Sequence, residues 1–66
     1  MADEMRKKAE AVVKAINLYR RYAYDDSTSE EERERWLERM MGMETALETM
    51  GFRVGLNLNT GMSYLA

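Results

Sequence analysis

The sequence predicts a mainly α-helical fold: an antiparallel two-helix hairpin with a short C-terminal β strand or ribbon, dimerising into a four-helix-bundle-like assembly. This prediction depends on three patterns. Two apolar seams have alternating four- and three-residue steps, a polar turn lies between them, and a two-residue alternation follows near the C-terminus. The first seam is Met5, Ala9, Val12, Ile16, Tyr19 and Ala23, and the second is Trp36, Met40, Met43, Leu47 and Met50. We expect one domain over 1–66, with helices at about 3–24 and 29–50, a turn at 25–28 and a β segment at about 52–65.

Local signals set the ends of these helices. Asp3 is placed to cap the first helix, and the second follows a polar turn with Ser29 three residues before Glu32, which is the spacing of a capping box. Gly51 follows the last apolar residue of the second seam and suits the left-handed conformation that ends many helices. We therefore expect Ser29 as the N-cap and Gly51 just beyond the C-terminus of the second helix.

The C-terminal segment changes to the period of a strand. Its apolar residues alternate with glycine, arginine and asparagine, and Asn59-Thr60-Gly61 provides turn chemistry before a second short strand over 62–65. An isolated two-stranded ribbon is marginally stable in water, so this segment should lie on the helices or pair with another chain. The exposed edge of such a strand is also a place where a protein partner could add a strand.

The size and composition of the chain point to self-association. With 66 residues, no Cys and no His, the chain has neither a disulfide nor a thiolate or imidazole metal cage to support a small core. We expect no metal and no cofactor. The N-terminus is charged and no apolar run approaches the roughly 20 residues of a membrane span. The sequence thus favours a soluble, cytoplasmic protein.

Each helix carries more apolar surface than one neighbouring helix covers. Ala11, Ala15, Leu18 and Tyr22 form a second seam on the first helix, widened by Val13, and Leu37 and Met41 extend the second helix in the same way. The predicted core is Ile16, Trp36, Met40, Met43 and Leu47, and the predicted oligomer interface is Leu18, Tyr22, Leu37 and Met41. A homodimer is the expected assembly, with a tetramer as the other option. In the alternative, the ribbon covers the second seam and completes a monomer.

These features favour a non-catalytic self-associating interaction or assembly module. Without His or Cys, a catalytic site would need carboxylates, Lys, Tyr or hydroxyls with strongly shifted pKa values. The acidic residues cluster instead at the start of the second helix, where they favour the helix dipole and solubility. We predict no catalytic residue and no enzymatic activity.

The alternative function is nucleic-acid binding by a dimer that presents the basic face of the first helix. Lys7, Lys14 and Arg21 recur every seven residues beside Arg20, and tyrosines flank the two arginines. Residues 1–24 carry a net charge of +3 and residues 25–66 a net charge of −5. Because the whole chain is acidic, this charge asymmetry favours pairing of the two helices over a nucleic-acid ligand.

Overall fold

The computed structural model describes residues 2–66 and contains two helices followed by a β ribbon. Helix α1 covers Ala2–Ala23 and helix α2 covers Glu30–Thr49, and the strands are β1, Val54–Asn57, and β2, Met62–Leu65. The helices pack against each other as a hairpin, and the strands form an antiparallel sheet that contacts both helices. The predicted mainly helical fold with a two-stranded C-terminal ribbon is confirmed.

The start of α2 is fixed by Ser29, as the capping-box spacing predicts. Ser29 has an extended backbone (φ −71°, ψ 164°), and its hydroxyl oxygen accepts a hydrogen bond from the Glu32 backbone N–H at 3.2 Å. In the preceding turn, the hydroxyl and the backbone N–H of Ser27 both donate to the Asp25 carboxylate. These two bonds lower the pKa of Asp25, so this contribution to stability is present above the unfolded-state pKa and is lost on acidification through the folded-state pKa.

The end of α2 is a Schellman motif centred on Gly51. The Gly51 N–H donates to the Glu48 carbonyl and the Phe52 N–H donates to the Leu47 carbonyl, both at 3.0 Å. Gly51 has a φ of 94°, which a residue with a side chain adopts only with strain. The reversal brings Phe52 back against the core, and so it sets the direction in which the ribbon leaves the helix.

The ribbon is a hairpin closed by a four-residue loop. Val54 pairs with Leu65, and Asn57 pairs with Met62. The loop ends at Gly61, which has a φ of 71° and donates its N–H to the Asn57 carbonyl at 2.7 Å. Because glycine adopts this left-handed conformation without a steric penalty, Gly61 fixes the loop and therefore the register of the strands.

The core lies between the two helices and extends toward one side of the hairpin. Ile16 is 0% exposed and Leu47 is 2% exposed, and Ala9, Val13 and Met40 complete the buried cluster. The prediction is correct for Ile16, Met40 and Leu47. The predicted core residues Trp36 and Met43 keep part of their surface exposed, and among the seam residues Met5 and Met50 are about half exposed. Val13 is more deeply buried than Val12, because the ribbon packs on the Val13 side of α1.

Gly42 lies in the interior of α2 without a packing requirement. A Cβ atom built on Gly42 meets no other atom within 4 Å. We expect Gly42→Ala to raise the free energy of unfolding by about 0.5 to 1 kcal/mol, because alanine restricts the unfolded chain and favours the helix. Urea denaturation followed by circular dichroism measures the change. A lower free energy of unfolding in the variant would contradict this expectation. It would mean that the α2 backbone at Gly42 is closely approached by a surface outside the single chain.

Candidate interaction surface

Asn17 of α1 holds the outer edge of strand β2. Its side-chain Oδ1 accepts a hydrogen bond from the Ser63 backbone N–H at 2.7 Å, and its Nδ2 donates to the Ser63 carbonyl at 3.1 Å. The side-chain amide therefore pairs with both backbone groups of one residue, as a neighbouring strand does. Ser63 is itself only 6% exposed, so these backbone groups depend on Asn17 for their hydrogen bonds.

Arg20 provides the second attachment of the ribbon. Its guanidinium donates to the Ser63 hydroxyl at 2.9 Å, to the Gly61 carbonyl at 3.1 Å and to the Asn17 side chain at 3.2 Å. The same group lies 3.7 Å from the Glu44 carboxylate of α2. Arg20 thus links α1, α2 and the hairpin loop, and only 19% of its side chain is exposed.

The ribbon consequently covers one flank of α1 and leaves Leu18 and Tyr22 of the second seam exposed. Val13, Asn17 and Arg20 follow one another at helical spacing along the covered flank. On the other flank, Leu18 remains 40% exposed and Tyr22 remains 43% exposed. Asn17 and Arg20 attach the ribbon beside Val13, so the ribbon covers the residue that widens the second seam and leaves Leu18 and Tyr22 uncovered. The alternative in which the ribbon completes a monomer stays a prediction.

The exposed residues around α1 form a continuous apolar band, which we define as Met62, Leu18, Tyr22 and Trp36. Met62 and Leu18 line the same shallow groove. Leu18 and Tyr22 are one helical turn apart, and the Tyr22 ring centroid lies 5.1 Å from that of Trp36. The Tyr19 ring contacts the same indole with centroids 5.2 Å apart and the two ring planes inclined at 35°. The band therefore joins the ribbon to α2 across the outer side of α1.

Charged residues border the apolar band at both ends. Lys14 and Arg21 line the groove that contains Leu18 and Met62. At the other end, the Arg39 guanidinium lies 5.3 Å from the Trp36 ring centroid, in a groove that Glu32 also lines. An apolar centre with a charged border is the usual arrangement of a protein interface.

The four predicted interface residues divide between two sides of the molecule. Leu18 and Tyr22 belong to the apolar band. Met41 is strongly exposed, and it lies five residues after Trp36, which turns it about 140° away around α2. Leu37 is partly buried against the core. The structure thus brings Leu18 and Tyr22 together and places Met41 on the other flank.

The structure separates Arg20 from the other predicted nucleic-acid contacts. Lys7, Lys14 and Arg21 are exposed along α1. Arg20 instead makes the contacts with Ser63, Gly61 and Glu44 that attach the ribbon. Asn17, which no pattern in the sequence singles out, pairs with both backbone groups of Ser63. Its only signal in the sequence is an uncharged polar residue between Ile16 and Leu18.

Neither the helices, nor the acidic side chains, nor comparison with known proteins gives an independent indication of function. Neither helix of the described part of the chain is long and apolar enough to cross a membrane. Within residues 2–66, no three acidic side chains come together in an arrangement suited to a metal ion. No family model, no curated protein and no solved structure matches this chain.

Proposed function

We propose that this protein is a non-catalytic assembly module whose apolar band packs against the same band of a second copy. The association buries Leu18, Tyr22 and the free side of Trp36 at the centre of a homodimer. Because the band lies mainly across the outer side of α1, the two hairpins meet through their helices, and each ribbon reaches the shared contact only at Met62. The resulting arrangement is a four-helix bundle with a ribbon on each hairpin.

The surface area of the single chain is the observation that carries this proposal. A folded monomer of 7.7 kDa has an accessible surface of about 4,300 Å² by the usual scaling with mass. The single chain exposes 5302 Å², about 1,000 Å² more than that scaling gives. A standard protein interface buries about 800 Å² on each partner. The excess surface is therefore of the size that one interface covers.

Exposed side chains and charge support a second copy as the partner. Among residues 3–66, ten large apolar or aromatic residues are at least 40% exposed. The N-terminal part, residues 1–24, has a net charge of +3, and residues 25–66 have a net charge of −5. A two-fold dimer that places α1 of one copy beside α2 of the other therefore brings opposite charges together.

Trp36 is the only tryptophan and lies in the proposed contact, so its fluorescence tests the proposal. Dilution of the wild-type protein should move the Trp36 emission maximum to longer wavelength as the dimer separates and water reaches the indole. Leu18→Glu should show the long-wavelength emission at every concentration. Wild-type emission that is independent of concentration, in a protein whose mass does change, would place the contact elsewhere.

Nucleic-acid binding is the second candidate function, supported by the exposure of Lys7, Lys14 and Arg21 along one helix. Tyr24 is also well exposed and shares a groove with Arg21, and the Arg33 guanidinium lies over its ring at 5.8 Å from the centroid. The engagement of Arg20 with the ribbon removes one cation from this surface. Fluorescence anisotropy with labelled single-stranded RNA and DNA distinguishes this function, since phosphate contacts would weaken steeply as salt is raised.

A further inference from the structure

The two edges of the ribbon differ in a way that selects one of them for pairing. The Ser63 N–H and carbonyl point away from β1, and Asn17 binds both of them. Arg20 additionally occupies the Ser63 hydroxyl beside that edge. The outer edge of β2 is therefore closed by α1, and no further strand can add there.

The outer edge of β1 is open. The Ala66 N–H donates to the Arg53 carbonyl at 2.8 Å, and the register continues from this pair through Val54 and Leu65. In an antiparallel ladder, hydrogen-bonded and non-hydrogen-bonded pairs alternate. Val54 and Leu56 therefore direct their N–H and carbonyl groups away from β2, and within residues 2–66 no hydrogen-bond partner meets those groups.

We propose that this edge pairs with β1 of a second copy, in antiparallel orientation about a two-fold axis at Gly55. Val54 of one copy then lies opposite Leu56 of the other, and the reverse pair follows from the symmetry. This register makes four backbone hydrogen bonds and joins the two ribbons into one four-stranded sheet. A register centred on Leu56 would require Leu58 of one copy to pair with Val54 of the other, but Leu58 lies in the hairpin loop instead of the strand.

Side chains and charge favour the same pairing. Residues 54–58 carry no charge, and Leu56 is 49% exposed, so the edge lacks the lysines or prolines that usually prevent strand addition. The antiparallel register places Arg53 opposite Asn57, whereas a parallel register would bring the two copies of Arg53 together. Gly55 lies at the axis, where the two backbones approach most closely, and the Tyr64 ring of the same chain fills the space that a side chain on Gly55 would need.

This contact is separate from the apolar band, so it goes beyond the proposed function and does not depend on it. The band joins hairpins through their helices, and the β1 edge joins ribbons through backbone hydrogen bonds. A protein with two different two-fold contacts forms assemblies larger than a dimer, either closed tetramers or open chains. The smaller β1 contact should form at the higher protein concentrations.

Amide hydrogen exchange measured by NMR at low-micromolar and at millimolar protein concentration tests this pairing. We expect exchange at Val54 and Leu56 to slow by about tenfold or more at the higher concentration. The amides of Gly55 and Asn57, which already face β2, should change far less. Leu56→Lys should remove the concentration dependence, whereas Leu58→Lys should retain it, because Leu58 is also an exposed leucine of the ribbon but lies in the hairpin loop, outside both the paired segment and the apolar band.

The outcomes separate the two contacts. Equal exchange at Val54 and Leu56 at both concentrations would overturn the β1 pairing, even if the wild-type mass still shows association through the apolar band. Loss of the protection in Leu58→Lys as well as in Leu56→Lys would also overturn it, since added charge anywhere on the ribbon would then be sufficient. Concentration-dependent protection that survives Leu18→Glu would show that the edge pairs without the band.

Discussion

Asn17→Ala should lower the free energy of unfolding by about 2 to 4 kcal/mol and release the ribbon from α1, because it leaves two buried backbone groups of Ser63 without partners. Alanine is the better helix former, so a loss of stability in this variant cannot come from the helix itself. Urea denaturation measures the global change. Amide exchange at Ser63 reports the release of the ribbon directly.

Lys14→Ala is the matched control, since Lys14 is exposed and precedes Asn17 by three residues on the same helix. It should leave both the stability and the exchange at Ser63 close to wild type. Asn17→Asp gives a finer test: the carboxylate still accepts from the Ser63 N–H but places a second acceptor against the Ser63 carbonyl. Equal stability of Asn17→Ala and Lys14→Ala would contradict the role assigned to Asn17.

Leu18→Glu should raise the dissociation constant of the dimer by about 100-fold or more, because it places a charge at the centre of the apolar band. Leu18 is 40% exposed in the single chain and lies outside the buried core, so the folded hairpin should persist. Sedimentation equilibrium measures the change in association. Circular dichroism confirms that the helices remain.

Two further substitutions show whether the effect belongs to the band. Met5→Glu makes the same kind of change on the same helix at similar exposure, but far from Leu18, and it should leave the dimer intact. Met41→Glu tests the flank of α2 that the sequence placed in the same interface as Leu18. The band contact predicts that Met41→Glu also remains dimeric, and a monomeric Met41→Glu beside a dimeric Leu18→Glu would move the interface to that flank.

The helices and the ribbon were predictable because their signals are local. Ser29 precedes Glu32 by the three residues that a capping box requires, and Gly51 directly follows the second seam. The strand signal over 54–57 depends on a two-residue alternation within a single short segment. Each of these features is determined by side chains within a few residues of one another. The interacting residues can therefore be recognised from a short stretch of sequence.

The side of the hairpin that the ribbon covers was not predictable in the same way. It depends on bonds between Asn17 and Ser63, which are 46 residues apart, and between Arg20 and Ser63, which are 43 residues apart. Hydrophobic periodicity depends only on the spacing of apolar residues, so it does not predict hydrogen bonds between polar residues that are distant in the sequence. For the same reason, the charge pattern alone places Arg20 with Lys7 and Lys14 on the basic face. The apolar pattern likewise predicts one interface for Leu18 and Met41, although Met41 lies on the other flank.

Absolute mass in solution across a dilution series, measured by light scattering on wild type and Leu18→Glu side by side, tests the proposed assembly most directly. The apolar band contact predicts a wild-type mass of at least two chains at micromolar concentration, falling toward one chain on dilution, with Leu18→Glu lighter than wild type at each concentration. A folded wild-type protein with the mass of one chain throughout the series would contradict self-association through the band.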